Sequence, residues 1–109
     1  MLEQNKFGSA SRGLAVAVLI ALGASSACAA DADNGERLAR RWCAACHIVA
    51  LNQQGARTEA PSFSSIARTP GLDAARISLF LLHPHPKMPD MGLTRTEAAD
   101  LAAYIASLK

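Results

Sequence analysis

The sequence predicts an all-α domain of three main helices and one short helical turn, placed behind an N-terminal export segment. Three observations carry that prediction. Beyond residue 30 no run alternates apolar with polar residues or concentrates β-branched side chains, so there is nothing from which to build a sheet. Apolar residues recur instead at helical spacing, in Ile77, Phe80 and Leu81 and again in Leu101, Tyr104, Ile105 and Leu108. Side chains able to cap a helix (Asp33 or Asn34, Asp73 and Thr94) stand at the heads of the expected helices. With 109 residues, half of them hydrophobic and only 18% charged, the chain is neither a disordered tail nor a multidomain enzyme.

The first segment is read before any folded element. Gly13 to Ala30 carries no charge; Lys6 and Arg12 precede it against the single acid Glu3, and Leu14 to Leu22 forms its apolar stretch. An uncharged run of this length approaches that of a spanning helix, but Gly23 to Ala30 is only Gly, Ala, Ser and Cys, which gain little on transfer to hydrocarbon. A cleavable signal over residues 1–30 is therefore expected rather than a membrane anchor, with cleavage after Ala29 or Ala30 beside the small-residue motif Ala27-Cys28-Ala29. Acylation of Cys28 is the weaker alternative, because Ser25 stands where a Leu-like residue would be needed.

The remaining domain, 31–109, has nine Lys or Arg against eight Asp or Glu, a balance that implies neither nucleic acid nor an acidic membrane as partner. A side-chain core of this size rarely supplies more than roughly 3 to 5 kcal/mol, so a staple is expected: a disulfide, a metal or a bulky cofactor.

Along the domain, Asp33 or Asn34 caps a helix expected over about 35–46, with Leu38 and Trp42 on one side. A loop follows from Ile48 to Ala60, its Asn52, Gln53, Gln54 and Gly55 read as turn residues only. Pro61 precedes a short turn over 62–68, ended by Pro70-Gly71, and Asp73 starts a helix to about Leu82. The run from His83 to Pro89 cannot be helical, since each of Pro84, Pro86 and Pro89 removes a donor and pushes its predecessor to extended geometry. Thr94 and Glu97 form a capping box for the last helix, to about Leu108.

Cys43-Ala44-Ala45-Cys46-His47 identifies the staple. Residues three apart on a helix share a face, so both sulfurs can meet the two vinyl groups on one edge of a haem while the next residue offers its imidazole to the iron. The competing uses of such a motif fit less well. A redox Cys-x-x-Cys belongs beside a βαβ unit, a structural zinc site needs a second ligand pair where only His83 and His85 remain, and a disulfide across so short a loop stabilises little.

With these residues in view the chain resembles the small class I c-type cytochromes of bacteria, whose fold wraps three main helices and a short turn around one covalent haem. The resemblance rests on Gly35, on Cys43, Cys46 and His47, on Ala60-Pro61-Ser62-Phe63, on Lys87-Met88-Pro89, and on Leu101 with Tyr104. It implies thioether bonds from Cys43 and Cys46, His47 as proximal and Met88 as distal ligand, and a Pro61 carbonyl accepting from the ligand imidazole. It further implies that Gly35 is the small residue at the crossing of first and last helices, with Leu101 and Tyr104 as packing partners. Ala39 stands where the family often has an aromatic, and Trp42 is expected to supply that volume from the core.

A soft thioether opposite a neutral imidazole favours ferrous iron and raises the potential. Filled axial positions leave no room for substrate, so the implied function is that of a one-electron carrier in the periplasm, not an enzyme. It would be a monomer without a membrane anchor, exchanging electrons with a donor dehydrogenase or cytochrome complex and an acceptor oxidase or reductase. Two alternatives stay open: a haem-bearing subunit of a dehydrogenase or oxidase complex, and a gas-binding or peroxidase-like protein with a labile distal ligand. His83 and His85 are read as loop residues, though each lies close enough in sequence to Met88 to substitute as distal ligand, and Arg57 as a solvated side chain rather than a partner for a haem propionate.

Overall fold

The computed structural model describes residues 28–56, 60–83 and 86–109. Among them are four helices and no strand: α1 (Ala32–Trp42), α2 (Phe63–Ala67), α3 (Ala74–Leu82) and α4 (Arg95–Ser107). Most of the expected export segment, residues 1–27, lies outside the described residues, and no helix among those described is long and apolar enough to cross a membrane.

The last helix is the axle. α4 packs against each of the other three helices, which do not pack on one another. Its start is the expected capping box: Thr94 Oγ1 accepts from the Glu97 amide at 3.1 Å, and the Glu97 carboxylate accepts from the Thr94 amide at 2.8 Å. From there Ala98, Leu101, Ala102, Tyr104 and Ile105 are buried, as one face of a helix surrounded on several sides requires. Leu108, expected to be part of that helix, is its half-buried C-cap.

α1 departs from its expected bounds at both ends. It starts at Ala32 and is capped by Asp31, whose carboxylate accepts from the Asn34 amide at 2.9 Å, rather than by Asp33 or Asn34. Three residues able to cap lie within four positions, and a distant partner selects among them. The Asp31 amide donates to Asp100 Oδ1 at 2.7 Å and the Asn34 side-chain amide to Asp100 Oδ2 at 2.8 Å. At its other end α1 stops at Trp42, where the Cys-x-x-Cys-His stretch turns away.

Where α1 meets α4 the two backbones nearly touch. A Cβ on Gly35 would lie 2.0 Å from the Asp100 carbonyl oxygen and 2.9 Å from Tyr104 Cβ, so no larger residue fits this crossing. One turn later Ala39 is fully buried. Trp42 does not fill the place of the missing aromatic: it is half-buried outside the core, with the Arg41 guanidinium 5.8 Å from its ring centroid. Two small residues close the crossing by proximity instead of bulk.

The shorter helices follow their sequence signals. Ser62 caps α2 and buries Phe63 behind it, and Asp73 caps α3 by accepting from the Arg76 amide at 2.8 Å. Within the expected stripe of α3 only Ile77 is buried; Leu81 is half-buried and Phe80 is 63% exposed. The side of α3 that bears these residues faces a cleft.

Candidate functional site

Past Trp42 the chain coils once more. Cys46 and His47 both donate to the Cys43 carbonyl, at 3.1 and 2.9 Å, which preserves helical spacing between the two cysteines and the histidine although α1 has ended. The stretch is fastened from outside by Gln53. Its Nε2 donates to the carbonyls of Ala44 at 3.0 Å, His47 at 2.8 Å and Gly55 at 3.0 Å, while its Oε1 accepts from the Val49 amide at 2.9 Å. The loop read from sequence as turn chemistry alone therefore holds the clamp of the Cys-x-x-Cys-His turn. A Gln among turn residues carries no mark of this role, because its partners are backbone groups.

The loop is tied to the core as well. Tyr104 Oη donates to the Val49 carbonyl at 2.6 Å, linking the chain just beyond His47 to α4. Burial, and then the nearby Glu36 carboxylate, push the Tyr104 phenol above its ordinary value against a smaller opposing effect of Arg40.

His47 is oriented by the segment before α2. Its Nδ1 lies 2.6 Å from the Pro61 carbonyl oxygen, and since a carbonyl can only accept, Nδ1 carries the proton. The lone pair of the neutral ring is then on Nε2. Phe63 fixes this arrangement from two sides: its amide donates to the Ile48 carbonyl at 2.9 Å, and its ring packs 5.4 Å from the imidazole and 6.4 Å, edge-on, from Tyr104.

Cys46, His47, Pro61 and Met88 line one cleft of about 700 Å³, whose walls are Ile66, Leu72, Ile77, Phe80, Leu81 and Ile105. Cys43, the other expected thioether residue, is half-buried and off the lining. Burial, and then the neighbouring Cys46, push its thiol up to about 11. Met91 is off the lining, in the approach to α4 where the Gly92 amide donates to the Asp90 carboxylate at 2.9 Å. His83 is the exposed C-cap of α3 and is also off the lining, while His85 and Arg57 lie outside the described residues.

The donor set fits a haem better than a bare ion. Among the described residues no group of three or more His, Cys, Asp or Glu side chains could enclose a metal. The cleft offers one imidazole and one thioether amid apolar walls, so any iron here must bring its equatorial donors with it. Its volume is that of a typical cofactor pocket, roughly 300 to 1,000 Å³.

An all-helical fold closed on an apolar cleft beside a Cys-x-x-Cys-His turn defines a domain for covalently attached haem. A family model described as cytochrome c oxidase, cbb3-type, subunit III matches residues 30–105. Cytochrome c-552 of Bradyrhizobium diazoefficiens is 52% identical over 98 residues, which cover 90% of this chain and 94% of that protein. No solved structure matches the chain. The chain belongs to the c-type cytochrome family: it is a small monohaem cytochrome with covalently bound haem c, and it carries electrons between redox partners.

Proposed function

We propose that this cytochrome is a periplasmic one-electron carrier with His/Met axial ligation, exported behind a cleaved signal over residues 1–30. The observation that carries the ligation is the bond between His47 Nδ1 and the Pro61 carbonyl, in a cleft that Met88 also lines. In this reading Cys43 and Cys46 form the thioethers, His47 presents Nε2 as proximal ligand and Met88 presents its sulfur as distal ligand. Bound haem supplies the ferric/ferrous couple.

The chain's own residues set how that couple behaves. Pro61 accepts the Nδ1 proton's hydrogen bond, which fixes the tautomer and strengthens the imidazole as a donor. Gln53 keeps the backbone of the turn from shifting between oxidation states. Pro86 and Pro89 flank Met88 and lower the ordering cost of the loop that must hold its sulfur at a fixed distance. Ile66, Leu72 and Ile105 exclude water from the cleft, which favours the less charged ferrous form. Were haem held by His47 and Met88, no open position would remain for substrate, and the protein would act as a carrier rather than an enzyme; we read it also as a monomer without a membrane anchor.

The family model's description favours one further reading, a haem-bearing subunit of an oxidase complex. Stable co-purification with oxidase subunits would support it, and a freely diffusing monomer would reject it. A redox titration with optical spectra on the exported protein tests the ligation. Met88→Ala should abolish the long-wavelength sulfur-to-ferric-iron band, lower the potential and admit carbon monoxide to the reduced iron, whereas Met91→Leu should leave all three unchanged. The opposite pattern would assign the ligand to Met91, and carbon monoxide binding by the reduced wild type would favour a labile distal ligand.

A further inference from the structure

Asp100 is the one buried charged side chain among the described residues, 4% exposed, and electron transfer gives it no task. Its two oxygens accept from two neutral donors, the Asp31 amide and the Asn34 side-chain amide. Among the described residues no Lys, Arg or His side chain pairs with it. A carboxylate withdrawn from water without a cation is costly, and neutral hydrogen bonds offset only part of that cost. The nitrogen 2.7 Å from Oδ1, however, belongs to the peptide bond between Ala30 and Asp31, one of the two at which the signal is expected to end.

We infer that the Ala30–Asp31 bond is the processing site and that cleavage there creates the missing cation. Hydrolysis adds one water across the bond, leaving a carboxylate on the departing Ala30 and an ammonium on Asp31. The nitrogen that donated to Asp100 as an amide then does so as a charged group, turning a neutral hydrogen bond into a part-buried, charge-assisted ion pair at the crossing of α1 and α4. Cleavage one bond earlier, between Ala29 and Ala30, would leave Asp31 an amide and Asp100 without a cation. Access is open, since Cys28, Ala29 and Ala30 are exposed and outside any helix. The groups that bear on this nitrogen are the Asp31 carboxylate and Asp33 from α1, and Asp100 from α4; all are acidic side chains and favour the ammonium against the positive end of the α1 dipole.

The inference rests on the proposed export, and one experiment separates the two. The intact mass and first residue of the exported holoprotein are determined, and its α-amine is followed by nitrogen-15 NMR titration. A start at Asp31 is expected, with an α-amine titrating at least about one unit above its ordinary value near 8, a tenfold shift toward the ammonium. In Asp100→Asn that value should return to about 8. A start at Ala30, or an Asp31 amine titrating at its ordinary value, overturns the ion pair and leaves export standing. An intact Met1 on haem-loaded protein overturns both. The wild-type titration decides the matter even if Asp100→Asn fails to fold.

Discussion

Replacing Gly35 by Ala tests the helix crossing with opposite signs for the two possible outcomes. In a helix that met nothing, the change would stabilise the protein by about 1 kcal/mol through backbone propensity alone. Here the added Cβ would be 2.0 Å from the Asp100 carbonyl oxygen and 2.6 Å from its carbon, both backbone atoms that cannot rotate aside, and ordinary contact begins at 3.4 Å. The helices must part by about 1.4 Å, which loosens the packing of Ala39 and Leu101. Overpacking of this kind costs about 1 to 3 kcal/mol, and weakening the bonds from Asp31 and Asn34 to a buried carboxylate adds about 1 to 3 more. Set against the gain of about 1 kcal/mol from propensity, we expect a net loss of about 1 to 5 kcal/mol, centred on about 3. Urea unfolding of the holoprotein, followed by far-ultraviolet circular dichroism, should show the midpoint falling by about 2 M at a slope of about 1.5 kcal/mol/M. A midpoint equal to or above that of the wild type would refute the close crossing.

Three further outcomes follow from other contacts. Gln53→Leu removes the clamp on the Cys-x-x-Cys-His turn and should cost about 2 kcal/mol in thermal unfolding, while Gln53→Glu, which turns a carboxylate toward three carbonyls, should cost more; a fully stable Gln53→Glu protein would contradict the clamp. Tyr104→Phe leaves the carbonyl of buried Val49 without its partner and should cost about 1 to 3 kcal/mol in the same assay, against no change if water replaces the hydroxyl. The near balance of basic and acidic residues after residue 30 gives little field to steer a partner, so stopped-flow rates of electron exchange should vary weakly with ionic strength; a steep fall with salt would reveal a local charged patch.

Much of this arrangement was legible in the residues because the informative signals are local. The Thr94/Glu97 box and the Asp73 cap act within a few positions and stand where they were expected, and the described part of the Pro-interrupted run, 86–89, is outside any helix. Gly35 and Pro61 were reached through the family resemblance; the structure has Gly35 against α4 and the Pro61 carbonyl 2.6 Å from His47 Nδ1. The misses concern contacts across the chain. Asp31 prevails over Asp33 and Asn34 as the cap because Asp100, 69 residues away, holds its amide. Trp42 looked like core material, yet the space it would occupy is removed by the close approach of the helices at Gly35 and Ala39. Gln53 and Asp100 act through backbone groups and a single nitrogen, for which a sequence has no periodicity or motif to display.

The dependence of all three other helices on α4 bears on how the chain is made. Ala98, Leu101, Ala102, Tyr104 and Ile105 supply the surface on which α1, α2 and α3 each pack, and those three share no interface. On a nascent chain, α1, α2 and α3 are all made before the element on which each of them packs. Until α4 is made, the three earlier helices have no partner surface on which to bury their apolar faces. Placing the organising helix after the three that it organises thus delays their packing until it has been made.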